Sequence, residues 1–401
     1  MAARPAGRRT DEGGSFDVLV VGGGPAGAAA ALALARAGRS VLLADAGTGP
    51  PKTGESLPSA ARVLLHDLGA GDRPLSDGHL PCYANLSAWG SPALDRIDFI
   101  RDPNGPGWHL DRRRFDRALR AEARAAGAEV AERTSVRRVA RRPDGGWTVA
   151  LRGAPPVRGR VPEPVAGPGP EVGPPAERVV RCAWLVDASG RGRAVAAPHR
   201  AGHRRTDRLV ASCLELAPAA TGRPGEQSSL VEAAEDGWWY TTLLPGGRRL
   251  VAYFTDADLA PPTPRDAADL ARLLARTSHV APRAAAHPLP AQARPRRAPA
   301  HSAHLDSPVG EGWIAVGDAA TAFDPISSQG VLTALHTGMA GARALHRHLA
   351  GDDDALSSYR TDVTALLAAY RRNHLAVYAL EQRWYDHPFW QRRHPTLTTE
   401  Q

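Results

Sequence analysis

Residues 312–345 read GWIAVGDAATAFDPISSQGVLTALHTGMAGARAL: an apolar run, an acid at Asp318 just after it, a turn opened by Pro325, then a long helix of small residues. The first amides of such a helix have no backbone partner and carry partial positive charge, so they favour an anionic or electron-rich group. Near the other end of the chain stands its counterpart, FDVLVVGGGPAGAAAALALARAGRSVLLADAG at 16–47. Gly22, Gly24 and Gly27 are spaced G-x-G-x-x-G between an apolar run, Val18 to Val21, and a helical pattern, Ala26 to Ala37, with Pro25 just before it. The first glycine permits the tight turn, the second lets backbone approach a pyrophosphate, and the third lets helix pack on strand. A second strand, Ser40 to Ala44, ends at Asp45, where a carboxylate accepts bonds from the hydroxyls of an unphosphorylated ribose. This order predicts a site for FAD or NAD rather than for a cofactor with a 2'-phosphate. The 312–345 stretch favours FAD, because a flavin also has a ribityl chain and a ring to be held. Asp318 suits the chain, and the turn DPISSQG at 324–330 aims a helix at the electron-rich end of the ring.

Four motifs in order, VGGGPAG at 21–27, HLDRRRFDRAL at 109–119, WLVDASGRGR at 184–193 and AVGDAATAFDPISSQGV at 315–331, resemble the FAD-binding pattern of the para-hydroxybenzoate hydroxylase group. That group includes aromatic hydroxylases, flavin halogenases and related reductases. The resemblance covers nearly the whole chain and implies an α/β fold: a glutathione reductase-type Rossmann FAD-binding domain, an interleaved antiparallel β-sheet substrate domain and a C-terminal helical region. Carried over by position, Gly22, Gly24, Pro25, Ala26, Gly27 and Asp45 hold the adenosine and pyrophosphate end. Arg112 becomes a cofactor-contacting arginine, Asp187 and Gly190 a strand-end motif beside the FAD, and Gly317 and Asp318 the ribityl contact. Ser56, Pro325, Gly330 and Val331 complete the implied cofactor positions.

Chemistry on the flavin rests on fewer residues. KTGESLPSAARVLLHDLG at 52–69 sets Lys52, Glu55 and Ser56 before a helix, where Ser56 also reads as an N-cap. DGWWYTTLLP at 236–245 sends Trp238, Trp239 and Tyr240 alternately to the two faces of a strand, so one face can line an apolar pocket, with Phe323 a further lining candidate. His109 is a candidate for proton transfer, with a structural histidine as the alternative; Lys52 and Glu55 are the other catalytic candidates. Flavin halogenases carry a Trp-x-Trp-x-Ile-Pro signature and a lysine after the GES turn. Here Tyr240, Thr241, Thr242, Leu243 and Leu244 precede Pro245, and Lys52, the one lysine of the chain, comes before the turn. Halogenation is therefore disfavoured. The expectation is an FAD-dependent monooxygenase that hydroxylates an aromatic ring through a flavin hydroperoxide, with O2 as cosubstrate. NADH or NADPH would visit transiently, since no second G-x-G-x-x-G appears.

KTGESLP, WWYTTLLP, FDPISSQGV and the tail YALEQRWYDHPFWQRRH at 378–394 resemble most closely the halogenase-like flavoproteins that modify a tryptophan of a partner polypeptide during tryptophylquinone biogenesis in bacterial amine oxidases and dehydrogenases. That implies hydroxylation of a peptidyl indole. Three alternatives stay open: a tailoring hydroxylase or oxidase for a small aromatic metabolite, a noncatalytic FAD-bound chaperone for maturation of a partner, and a reductase of the geranylgeranyl type. A closed pocket along 238–240 favours a small substrate; a wide cleft edged with arginines favours a polypeptide.

The elements that must position these residues are dispersed. The FAD-binding domain is expected from 15–82, 106–194 and 297–349, the substrate domain from 83–105 and 195–296, and a helical region from 350–401. Residues 133–152 read as a hairpin turning at Asp144 and Gly145. Residues 153–176 hold eight prolines and five glycines and are expected to form a disordered excursion, like the Arg- and Gly-rich leader 1–14. RLVASCLEL, SSLVEAAEDGWWYTTLLP and RRLVAYFTD alternate as antiparallel strands, and a helix is expected at Pro264 to Thr277. The last helical region, about Asp354 to Trp384, spaces Val363, Leu366, Leu367, Tyr370 and Leu375 as a packing face.

Composition narrows the classes. At 401 residues and 43% hydrophobic, the chain suits two packed domains, and its one long apolar run is already explained by the nucleotide fold, so no membrane partner is expected. Cys82, Cys182 and Cys213 are far apart without ligand spacing, which points away from metals and disulfides and towards a reducing cytoplasm. The net charge of +8 comes from arginines scattered among Ala, Gly and Pro, so no nucleic-acid partner is expected either.

Overall fold

A computed structural model of the protein describes residues 11–47, 55–76, 78–153, 176–219, 227–259, 266–290 and 293–394. Lys52 lies outside these residues, as do nearly all of the Pro/Gly-rich segment and the first ten residues of the expected leader.

The central sheet runs in the order Val309–Gly310, Trp313–Ala315, Ala176–Asp187, Asp11–Val21, Val41–Asp45, Glu129–Glu132. Its heart is parallel: Val18 to Val21 pair with Val41 to Ala44 on one side and with Trp184 to Asp187 on the other. These strands are buried on both faces, which is why they read as unbroken apolar runs. The hairpin Thr134–Arg141 and Trp147–Gly153 extends the sheet antiparallel, with Asp144 Oδ1 accepting the Gly146 amide in its turn. The first strand begins at Asp11, where Asp11 pairs with Arg178 and Glu12 with Val179. The leader expected through 14 is thus too long; a bulge between Glu12 and Ser15 lets the strand continue despite Gly14.

On this sheet lie the helix Pro25–Arg36 and the long helix Gly330–His348. Alanine and glycine let their backbones meet: a Cβ on Gly338 would lie 2.3 Å from the Ala26 carbonyl oxygen. The C-terminal helix Ala355–Ala379 packs behind them through Tyr359 and Val363 and further along through Tyr370 and Tyr378. Leu375, expected on the packing face, is 47% exposed. The stripe runs through 370, 374 and 378 at four-residue steps, and position 375 lies about 100° round the helix from 374.

The second body is a seven-stranded sheet in the order Arg296–Pro299, Leu209–Leu216, Arg249–Asp256, Gly237–Leu243, Ser228–Ala234, Ala84–Ala88, Asp95–Asp98. All neighbours are antiparallel except Ser228–Ala234 with Ala84–Ala88. The boundary expected at 296 cuts the edge strand, which stays in this sheet to Pro299. Ser56 does not cap a helix: Ser56–Leu57 is a strand paired with Gly107–His109, and the helix Ala61–Asp67 starts later with no side-chain cap. The helix expected at 264–277 is observed as Ala267–Leu274, capped by Asp266, and is followed by Val280–Ala284. Among the described residues no helix is long and apolar enough to cross a membrane.

Candidate functional site: a dinucleotide cradle facing a polar sheet

The strand ending at Val21 delivers Gly22 at φ +102°, where a Cβ would lie 2.5 Å from the Ala188 carbonyl oxygen. A Cβ on Gly27 would lie 1.8 Å from the Gly22 carbonyl oxygen. Both positions therefore exclude any side chain, and the turn is closed as tightly as backbone permits. Gly24 is the N-cap of Pro25–Arg36 and no side chain caps that helix, so its first amides remain directed at whatever lies ahead of them. These features fit the phosphates of a dinucleotide. Asp45, at the end of its strand, lies 3.4 Å from Arg120, whose guanidinium also donates to Gly23 O and Glu132. The sequence reading missed Arg120, although Arg112, Asp116 and Arg120 are four residues apart on the capped helix Arg112–Ala125, a visible one-face signal.

Arg112 opens that helix and lies 3.3 Å from Asp116. Asp187 is fully buried: Oδ1 accepts from the amide and hydroxyl of Ser189, and Oδ2 from the amides of Val195 and Ala196. Its carboxylate holds the turn containing Gly190, at φ +69°, rather than facing outward. Gly317, at φ +58°, is pressed on Ala26, and its amide donates to Thr337 Oγ1. Asp318 is 40% exposed and lies 3.6 Å from Arg191, a residue that also bonds the carbonyls of His301 and Phe323. The cradle, Asp318 and the start of the long helix at Gly330 and Val331 thus share one end of the parallel sheet.

The strand Gly237–Leu243 divides its side chains as expected, and the faces differ sharply. Trp238 is buried, stacked on Phe254 at 3.8 Å, and donates Nε1 to Tyr378 at 3.0 Å. Trp239 packs with Tyr253 on the opposite face and lines a surface cleft of about 440 Å³ edged by Arg276 and Arg383. On the Trp238 face, Thr242 Oγ1 lies 3.0 and 2.9 Å from the two ring nitrogens of His109, so one bond forms at a time. His109 is fully buried, and burial together with the Arg249 charge pushes its imidazole down to about 4, so it is neutral near pH 7. The Tyr240 phenol is pushed well above its ordinary value by burial and then by Glu55 and Cys82. Glu55 is 5% exposed and its carbonyl accepts from Leu110. Glu55 thus lies within electrostatic reach of Tyr240, and His109 bonds the same strand through Thr242, while Trp238 belongs to the core.

Phe323 stacks on Tyr370 at 4.0 Å and leads into a group that the sequence reading passed over. Asp324, 1% exposed, caps the Pro325–Ser327 turn by accepting from Ile326 N, and its other oxygen receives Tyr378 OH at 2.9 Å and His374 Nε2 at 3.1 Å. Tyr370 OH accepts from Asp324 N and pairs with Ser302. Tyr370, His374 and Tyr378 at steps of four were the available signal.

Comparison with known proteins agrees with this geometry. A family model described as an FAD binding domain matches residues 15–161. A protein of Marinomonas mediterranea named as an FAD-dependent oxidoreductase, LodB, is 31% identical over 394 residues, 95% of this chain and 97% of its own length. The fold of the myxobacterial chondrochloren halogenase CndH superposes with a TM-score of 0.79 at 24% identity, covering 97% of this chain and 88% of that one. The peptidyl tryptophan dihydroxylase QhpG, described as essential for tryptophylquinone cofactor biogenesis, superposes with a TM-score of 0.71 at 26% identity over 94% of this chain and 78% of its own. With the glycine cradle, the mixed sheet and the Asp318 turn in place, the chain belongs to the FAD-dependent oxidoreductases of the para-hydroxybenzoate hydroxylase type.

Proposed function

We propose that the protein is an FAD-dependent monooxygenase that hydroxylates an aromatic ring, and that the ring is the indole of a tryptophan in a partner polypeptide. The observation that carries the reading is the strand Gly237–Leu243: the two positions where halogenases are expected to hold tryptophans are Tyr240 and Thr242, and Thr242 is tied to His109. The likeness to QhpG supports the indole.

Bound and reduced by NADH or NADPH, FAD supplies the activated oxygen from O2. The chain supplies the rest. The cradle and Asp318 hold the extended cofactor, and the buried contacts around Trp238 and Phe254 keep water from the sheet floor. His109, held neutral, has one ring nitrogen free of a proton and can take up the proton that an aromatic carbon loses when it gains a hydroxyl.

The test is a single-turnover reaction of the full-length, FAD-loaded protein, reduced without air and then mixed with O2 in the presence of a tryptophan-containing peptide, with and without chloride or bromide. A peptide heavier by one or two oxygens, independent of halide, supports the reading. A halogenated peptide overturns it in favour of halogenation, and hydrogen peroxide with unmodified peptide overturns the polypeptide substrate.

A further inference from the structure

Asp324 sits in the middle of the segment that the fold assigns to the flavin, yet most of its partners come from elsewhere. Its Oδ1 caps the Pro325–Ser327 turn that leads to the start of the long helix at Gly330. Its Oδ2 is met by two side chains of the C-terminal helix, Tyr378 at 2.9 Å and His374 at 3.1 Å. Tyr378 also receives the Trp238 indole N–H at 3.0 Å, so an unbroken line of bonds runs from the seven-stranded sheet through the C-terminal helix to the flavin turn. On the same helix Tyr370 receives the Asp324 amide and stacks on Phe323. Arg393 packs over the Tyr378 ring at 5.3 Å and over Phe389 at 3.7 Å, closing the far side.

A carboxylate 1% exposed is tolerated only when its oxygens are met, and here both side chains that donate to it belong to one helix, the third donor being the Ile326 amide. The helix is in turn fixed by Tyr378 and by Trp89, which donates to Val377 O. Withdrawing Tyr378 leaves Oδ2 with His374 as its one side-chain donor, whereas withdrawing Tyr359, which bonds the Ala315 carbonyl, leaves every bond of Asp324 in place.

We propose that the C-terminal helix is a clamp on the cofactor: Tyr378 and His374 hold Asp324, and through it the Pro325–Ser327 turn and the start of Gly330–His348, in the conformation that binds FAD. These are positioning residues. The inference concerns FAD alone and stands apart from the choice of substrate.

The test compares two tyrosines of the same helix in the full-length protein. Tyr378 donates to Asp324; Tyr359, equally buried, donates to the Ala315 carbonyl at 2.9 Å. FAD affinity of the apoprotein and visible circular dichroism of the saturated protein are measured for Tyr378→Phe and Tyr359→Phe. Both variants are expected to melt lower. Only Tyr378→Phe is expected to weaken FAD binding, by about tenfold, and to change the flavin dichroism. If both variants weaken FAD alike, if neither does, or if only Tyr359→Phe does, the clamp is overturned. Should Tyr378→Phe not fold, the partly exposed His374 replaces it: weaker FAD binding in His374→Ala that His374→Gln restores supports the clamp, and equal affinities overturn it.

Discussion

The glycine cradle at 22–27 and the hydrogen-bonded cluster around Asp324, the proposed clamp, are built from opposite materials. The cradle joins residues two to five positions apart, Gly22, Gly24 and Gly27, and works by having no side chains. The clamp joins Asp324 to His374 and Tyr378, and Tyr378 to Trp238, across gaps of 50, 54 and 140 residues, and works through side chains that are large, polar and buried. The difference shows two ways of rigidifying a site. Steric exclusion needs only the local chain; hydrogen-bonded burial needs the whole fold to be in place first.

The largest effect is expected at the cradle. Gly27→Val forces a side chain into the Gly22 carbonyl, and we expect loss of FAD binding together with more than about 4 kcal/mol of stability, read by flavin retention and denaturant unfolding. Retention of FAD would break the comparison at once, because the turn would then have room to move.

Next comes the tail that backs the clamp. Trp390 is fully buried among Tyr378, Phe389 and Trp238 and donates to Ala234 O. Trp390→Ala is expected to lose about 3–5 kcal/mol in denaturant unfolding. A loss below about 1 kcal/mol would mean that the tail lies on the body without supporting it.

Buried His109 gives a pH dependence whose sign is fixed. His109 is pushed to about 4 in the folded protein, below the ordinary value of about 6.5. Between these values the unfolded chain takes up the proton and the folded one does not, so the stabilisation is complete above about 6.5 and is lost as pH falls towards 4, by on the order of 3 kcal/mol at most. His109→Gln should flatten unfolding free energy over that window; an unchanged profile would remove His109 as its source.

The smallest effect sharpens the comparison from the side of the cradle. Asp45→Ala should weaken FAD by about tenfold while shifting the melting temperature little, because Asp45 is partly exposed and its Arg120 partner keeps Glu132 and Gly23 O. An affinity unchanged by this variant would leave Asp45 a purely structural ion-pair partner.

By itself the sequence determined whatever depends on neighbours along the chain: the strand, glycine turn, helix, strand and acid of 16–45, the hairpin at 134–153, and the alternation of Trp238, Trp239 and Tyr240. Period and steric allowance are local, so they survive being read without a fold. It did not determine that Ser56 is a strand residue facing His109, that the edge strand at 296–299 stays with the seven-stranded sheet, or that Leu375 turns to solvent, since each depends on which surface is packed against it. Only the tertiary structure decided that Trp238 is core, that His109 is dry and neutral, and that Asp324 belongs to the C-terminal helix as much as to the Pro325–Ser327 turn. Burial and hydrogen-bond pairing are properties of residues brought together over long sequence separations, and no local pattern encodes them.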